Sequence, residues 1–66
     1  MEIRLNGKTR EVPEGTTISR LLEELKLQPL RVAVQVNTDI IKRERYGEVL
    51  LQPGDTVEVL TFMSGG

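Results

Sequence analysis

The sequence predicts an α+β roll, in which a mixed sheet of four to five strands carries one helix packed on one face. Three observations predict this fold. Several short segments alternate apolar and polar residues, a single segment has the periodicity of an amphipathic helix, and turn residues separate them. We expect residues 1–62 to form this domain and residues 63–66 to form a flexible tail. Because one helix covers only one face of a sheet, the other face must meet water or a partner.

The first predicted element is a hairpin. Residues 1–5 alternate apolar and charged side chains, which is typical of a half-buried strand. The pair Asn6-Gly7 tolerates the positive φ angles of a type I′ turn. Residues 8–12 then return as the second strand. Since Val12 is the one strongly apolar residue among them, we place that strand at the edge of the sheet.

The helix is predicted from a stripe of apolar residues with i, i+3, i+4, i+7 spacing. These residues are Ile18, Leu21, Leu22 and Leu25. Thr16 or Thr17 is expected to cap the first turn, since threonine hydroxyls accept hydrogen bonds from free backbone N–H groups. The segment Leu27-Gln28-Pro29 is expected to stop the helix, because the residue before a proline avoids helical geometry.

The second half of the chain contains the clearest strand, at residues 31–36, with Val32, Val34 and Val36 on one face. The remaining elements are expected in this order: a turn at 37–39, a short strand at 40–41, a polar segment with one helical turn at 42–48, a return to the core at 49–51, a turn at 52–55 and a last strand at 56–62. Gln52-Pro53-Gly54-Asp55 is the strongest of these turn signals.

The composition excludes several classes of site. The 66 residues carry nine Lys or Arg and ten Asp or Glu, and they include neither Cys nor His. This excludes disulfides, thiolate metal sites, cysteine nucleophiles and histidine-based acid–base relays. No apolar run approaches the roughly 20 residues of a membrane span, and no signal segment is visible. We therefore expect a cytoplasmic protein with no bound metal and no membrane contact.

The charged side chains suggest a contact surface at most. Lys42, Arg43 and Arg45 form a basic cluster, but the net charge is −1 and the chain has one Tyr and one Phe. A nucleic-acid surface needs a basic face with stacking aromatic residues, so none is predicted. The cluster is either a solvated turn or a steering contact with an acidic protein partner. Carboxylates such as Glu48 and Asp55 show no sign of a cleft, and no catalytic residue is predicted.

The chain ends in Ser64-Gly65-Gly66. A Gly-Gly terminus has no side chains and wide backbone freedom, so it can thread a narrow channel and present a bare carboxylate. The alternative is an ordinary frayed terminus. Acyl chemistry requires that a carboxylate be activated first, usually by ATP, and the chain has no Walker-type phosphate loop. A partner enzyme would therefore activate Gly66, and the protein would be a substrate and carrier.

The last strand predicts a docking surface beside this tail. If Val57 and Val59 point to the covered face, the alternate residues point to the other face. The residues expected to meet a partner are Ala33, Glu58, Leu60 and Phe62. Exposed apolar pairs usually mark interaction sites. The alternative is a bulge or twist that tucks either Leu60 or Phe62 under the sheet.

Several segments together resemble a known family. They are Asn6-Gly7, Glu14-Gly15-Thr16, residues 21–25, Val32-Ala33-Val34, Val36-Asn37, Ile40-Ile41 with Arg43, residues 54–59 and Gly65-Gly66. With these segments the chain resembles the ubiquitin-like sulfur carriers of the β-grasp fold, and most closely the ThiS family of thiamin biosynthesis. Two positions depart from the family pattern, Thr38 where Gly is frequent and Lys42 where Pro is frequent. The Ser-Gly-Gly ending is also similar to the small subunit of molybdopterin synthase.

The resemblance implies a chemistry at the tail. A ThiF-like adenylyltransferase of the ubiquitin-activating type would adenylylate the Gly66 carboxylate with ATP and magnesium. A sulfur donor, usually a cysteine desulfurase relay, would displace AMP and leave a thiocarboxylate on Gly66. A ThiG-like thiazole synthase would accept the sulfur. Ser64, Gly65 and Gly66 would enter each partner's active site while Leu60 and Phe62 dock on its surface.

Other functions fit the same residues. The sulfur could serve molybdopterin, tRNA thiolation or cysteine synthesis. The domain could be a plain ubiquitin-like interaction module with an inert tail, or Gly66 could be conjugated to lysines of other proteins.

Overall fold

Five strands form one mixed sheet in the computed structural model, which describes residues 1–62. The elements are β1 (Glu2–Leu5), β2 (Lys8–Glu11), α1 (Ile18–Glu24), β3 (Val32–Val36), β4 (Asp39–Ile41) and β5 (Thr56–Thr61), with 3₁₀ turns at Pro29–Arg31 and Arg43–Arg45. The strand order is β2-β1-β5-β3-β4. β1 and β5 run parallel, whereas the other neighbours run antiparallel. The predicted α+β roll is confirmed, with β2 at the predicted edge.

One face of the sheet packs on α1 to form the core. The buried apolar residues are Ile3, Val12, Ile18, Leu21, Leu22, Val32, Val34, Val36, Tyr46, Leu51, Val57 and Val59. The predicted helical stripe and the predicted valine face of β3 are both among them. Leu25, the last residue of the stripe, is half-buried and packs against the same cluster.

The helix begins as predicted but ends differently. Thr17 is the cap, and its hydroxyl accepts a hydrogen bond from the Arg20 N–H at 3.1 Å. The helix ends at Glu24, well before Pro29 in the sequence, because Lys26 adopts a left-handed φ of 59°. The Lys26 and Leu27 N–H groups then donate to the Glu23 and Leu22 carbonyls at 3.0 and 2.9 Å, which closes the last turn. The prediction that Pro29 stops the helix is therefore wrong; Pro29 instead opens the following 3₁₀ turn.

Some predicted boundaries shift by one residue. Arg31 belongs to the 3₁₀ turn and β3 starts at Val32, while β5 ends at Thr61 instead of residue 62. In the segment at 49–51, Leu51 is buried and Leu50 is exposed. None of the helices within residues 1–62 has the length and hydrophobicity needed to cross a bilayer.

Two hairpin turns have left-handed residues at both central positions. Asn6 and Gly7 have φ angles of 50° and 82°, which confirms the predicted type of turn. In the second hairpin Asn37 and Thr38 have φ angles of 49° and 77°, and Asp39 already pairs with Val36 as the first residue of β4. Thr38 is β-branched, and a β-branched residue in this region is strained.

Replacing Thr38 by glycine is therefore expected to stabilise the fold. The left-handed conformation costs an L-residue about 1–2 kcal/mol, and glycine avoids this cost. Glycine also loses more conformational entropy on folding, which offsets about 0.5–1 kcal/mol of the gain in stability. Thr38→Gly should raise the free energy of unfolding by about 0.5–1 kcal/mol, which raises Tm by a few degrees, about 4–8 °C per kcal/mol. Thermal unfolding followed by circular dichroism measures this. Thr9→Gly, in an edge strand without a positive φ, is the control and should lower Tm.

Candidate functional site

The sheet face opposite α1 is not covered by any described element, and we call it the open face. Ala33 of β3 lies opposite Leu60 of β5, and Gln35 lies between Glu58 of β5 and Ile40 of β4. Because neighbours in register share a face, these five side chains form one surface. It is apolar at Ala33, Ile40 and Leu60 and polar at Gln35 and Glu58.

The apolar residues of the open face surround a shallow depression of about 50 Å³, lined by Ala33, Val34, Gln35, Ile40 and Leu60. Small-molecule sites usually occupy about 300–1,000 Å³, so this depression can receive a side chain of a partner but not a substrate. Its rim is unusually accessible: Ile40 is 77% exposed and Leu60 is 59% exposed. Exposed apolar residues grouped in this way are typical of surfaces that contact other proteins.

The structure places the predicted docking residues as follows. Leu60 is exposed, Ala33 is its direct neighbour on β3, and Glu58 is half-buried on the same face. Phe62 follows β5 and is 61% exposed. The bulge that would have tucked Leu60 or Phe62 under the sheet is absent from the described residues. Whether a partner uses this surface stays a prediction at this point.

Ile40 is the open-face residue that sequence reasoning missed. It was predicted only as part of a short strand. A two-residue turn at Asn37-Thr38 makes Val36 pair with Asp39, which puts Ile40 beside Gln35 on the open face. The signal was available, because a two-residue turn pairs Ile40 with Gln35, and Gln35 is one residue from the buried Val36 and so lies on the opposite face.

The start of β5 is held by a network of polar side chains. The Asn37 amide donates to Asp55 Oδ1 at 2.9 Å and accepts from the Thr56 N–H at 2.9 Å. The second oxygen of Asp55 accepts from the Gln52 N–H at 2.8 Å. Gly54, with a φ of 84°, supplies the left-handed residue of this turn. Asp55 therefore stabilises the predicted 52–55 turn, and both of its oxygens are engaged.

The basic cluster lies on the 3₁₀ turn after β4. Lys42, Arg43 and Arg45 are all exposed. Arg45 pairs with Glu48 at 3.5 Å, a contact that contributes little because both side chains are mostly in water. Contact of this cluster with an acidic partner stays a prediction.

A second cavity lies away from the open face. It has a volume of about 120 Å³ and is lined by Met1, Glu14, Gly15 and residues 50–53. It too is smaller than an ordinary substrate pocket. Within residues 1–62 no group of three His, Cys, Asp or Glu side chains is arranged to hold a metal ion. The predicted tail residues Ser64, Gly65 and Gly66 lie outside the described residues.

The ThiS family model matches residues 3–66. The chain belongs to the ThiS family. The sulfur carrier protein ThiS of Bacillus subtilis is 40% identical over 65 residues, which cover 97% of this chain and 98% of that protein. The sulfur carrier protein ThiS of Escherichia coli is 29% identical over the full length of both chains. These matches confirm the predicted family.

Solved ThiS structures show the same fold. The crystal structure of the thiamine biosynthesis protein ThiS from Geobacter metallireducens superimposes with a TM-score of 0.85 and 36% identity over the whole of both chains. This confirms that the ThiS-family chain has the predicted β-grasp roll.

Two longer relatives of this ThiS-family chain are thiazole synthases. That of Magnetococcus marinus is 42% identical and that of Paramagnetospirillum magneticum 33% identical over all 66 residues. The chain spans only 20% of the length of each. Each of these proteins therefore contains a ThiS-like segment within a much longer chain.

Proposed function

We propose that this ThiS-family chain is a sulfur carrier of thiamin biosynthesis, with the Gly66 carboxylate as the group that is loaded. The observation that carries the proposal is the extent of the family match, which runs through residue 66 and so includes Gly65-Gly66. Glycines are suited to this position, because a residue without a side chain can pass a narrow channel.

Loading requires three steps, and partner proteins carry out all of them. The Gly66 carboxylate attacks the α-phosphate of ATP, which releases pyrophosphate and leaves an acyl adenylate. The persulfide of a sulfur donor such as a cysteine desulfurase relay then displaces AMP to give an acyl disulfide, and a thiol of a partner protein reduces the S–S bond, becomes part of a disulfide itself and releases the thiocarboxylate. The carrier has neither Cys nor His to act as nucleophile or base. We assign ATP and magnesium to a ThiF-like adenylyltransferase in the cytoplasm.

The open face supports the binding part of this proposal. Leu60 belongs to the last strand, so the apolar surface and the tail are adjacent in the chain. A partner that binds both holds the tail at a high effective concentration near its active site. Ile40 and Ala33 extend the surface across two further strands. Recognition of a surface and a terminal carboxylate together gives more specificity than either provides alone.

A ThiG-like thiazole synthase is the proposed acceptor of the sulfur. The support comes from the two thiazole synthases that contain a ThiS-like segment. Two activities within one chain often act in succession, since the covalent link keeps the carrier close to the acceptor.

The intact mass of the protein tests the carrier role. The chain is incubated with ATP, magnesium, a sulfide source and the ThiF-like enzyme of the same genome. We expect a mass gain equal to the replacement of one oxygen by sulfur, localised to Gly66 by fragmentation. An unchanged mass, with the same enzyme active on another carrier, would leave a ubiquitin-like interaction module with an inert tail.

A further inference from the structure

The parallel pairing of β1 with β5 stops early. Arg4 pairs with Thr56 and Leu5 with Val57. The Asn6 N–H still donates to the Val57 carbonyl at 2.9 Å, and the chain then turns away at Asn6-Gly7. The next residue of β5 whose backbone faces β1 is Val59. β1 has no residue left to pair with it.

The side chain of Asn6 takes the place of the missing residue. The Val59 N–H donates to Asn6 Oδ1 at 2.8 Å, and Asn6 Nδ2 donates to the Val59 carbonyl at 3.3 Å. A primary amide offers the same acceptor and donor as a peptide group, so the ladder is extended by one step. We call this pair of hydrogen bonds the Asn6 clip. It links residues 53 positions apart in sequence.

The other hairpin holds β5 in a similar way at its start. The Thr56 N–H donates to Asn37 Oδ1 at 2.9 Å, and the Asn37 N–H donates to the Thr56 carbonyl at 2.8 Å. Asn6 and Asn37 have nearly the same left-handed φ, 50° and 49°. Both turns therefore use an asparagine to hold β5, one at the first residue of the strand through a side-chain oxygen and a backbone N–H, and the other at Val59 through the side chain alone.

The Asn6 clip immediately precedes the exposed part of β5. Leu60 follows Val59 directly, and Phe62 comes two residues later. In the part of the chain that the structure describes, Leu60 is paired with Ala33 and the Phe62 N–H donates to the Arg31 carbonyl at 2.9 Å. Both contacts come from the β3 side. The clip is thus the last hydrogen bonding recorded from the β1 side before the tail.

We infer that Asn6 is a positioning residue for the docking surface formed by Leu60 and its neighbours. The inference rests on the proposed function. With the clip, Leu60 and Phe62 are already held in strand geometry when a partner arrives. Without it, this part of β5 moves more freely, and the partner must order it on binding at an entropic cost. The adenylylation step itself involves none of these atoms, so its rate in the bound complex stays the same.

The test compares Asn6→Gly with Asn37→Gly in the full chain. Glycine adopts positive φ without strain, so each variant keeps its turn and loses only the side-chain hydrogen bonds. ATP–pyrophosphate exchange catalysed by the ThiF-like enzyme gives KM and kcat for each carrier. Two hydrogen bonds contribute on the order of 1 kcal/mol, so Asn6→Gly should raise KM about fivefold to tenfold with kcat unchanged. Asn37→Gly should leave KM within about twofold of wild type, although it also lowers Tm.

Amide hydrogen exchange and one further variant complete the test. Asn6→Gly should speed exchange at residues 59–62, whereas Asn37→Gly should not. Asn6→Asp tolerates a left-handed backbone but sets a carboxylate oxygen against the Val59 carbonyl in place of the Nδ2 donor, so it should also raise KM. Equal KM values for wild type and Asn6→Gly, or equal rises in both glycine variants, would overturn the positioning role. Absence of exchange with the wild-type carrier would instead overturn the proposed function, and the inference with it.

Discussion

Deletion of Gly66 is expected to abolish loading of the carrier while leaving the fold intact. The shortened chain ends at Gly65, so its carboxylate falls about 3.5 Å short of the position reached by the natural terminus. A misplacement of only about 1 Å can cost a hundredfold in rate, so we expect adenylylation to fall by at least that factor. Among residues 1–62 the core cluster contains none beyond Val59, and Tm should not change.

Competition shows whether the deletion removes chemistry or binding. The shortened chain keeps Ile40, Leu60 and the rest of the open face, so it should inhibit loading of the wild-type carrier. Gly66→Ala keeps the length and adds one methyl group, which should slow adenylylation in a channel shaped for glycine. Adenylylation of the deletion variant at the wild-type rate would refute the assignment of Gly66. A deletion variant that fails to compete would show that binding depends on the terminal residue.

Leu60→Asp is expected to have the second-largest effect, on partner binding. It places a carboxylate at the rim of the apolar depression, where docking would strip it of water without providing a partner. Truncation or charging of a central interface residue typically costs 2 kcal/mol or more, so binding of the ThiF-like enzyme should weaken by about thirtyfold or more. Because Leu60 is 59% exposed, the free energy of unfolding should change by no more than about 1 kcal/mol.

Leu50→Asp is the matched control for this substitution. Leu50 is 52% exposed but lies beside the second cavity, with Met1 and Gly15, away from the open face. The two variants carry the same change in charge and hydrophobicity. Titration calorimetry should show weakened binding for Leu60→Asp alone. Equal affinities for both variants would exclude the open face as the docking surface.

The parts of the fold that were predictable are those with strong local patterns. The helical stripe from Ile18 to Leu25 and the alternation in β3 and β5 each require one arrangement to bury their apolar side chains. Tyr46 was not predictable, because it is a single aromatic residue in a polar segment without periodicity, yet it is buried. Lys26 was not predictable either. Glycine is the residue usually found in the left-handed conformation at a helix end. Here that position holds Lys26, and the next residue, Leu27, packs against the core.

The candidate site divides in the same way. The exposure of Leu60 could be predicted because β5 alternates, whereas the assignment of Gly66, drawn from the chemical meaning of a Gly-Gly terminus, stays a prediction. The position of Ile40 on the open face follows only from the register of its hairpin. That register depends on a two-residue turn in which Thr38 adopts a φ of 77°, a conformation that a threonine does not suggest. The role of Asn6 depends on a contact with Val59 across most of the chain, which no local pattern encodes.

The central position of β5 has a consequence for how the protein is made. The first and last strands are neighbours, and β5 also joins β1 to β3. The sheet therefore cannot assemble until β5 has been synthesised, and folding depends on contacts of long sequence separation that form slowly. For a carrier loaded at its C-terminus, an unfinished chain has neither a folded docking surface nor a terminal carboxylate in place. On the proposed function, we therefore expect that nascent chains do not compete with finished carriers for the activating enzyme.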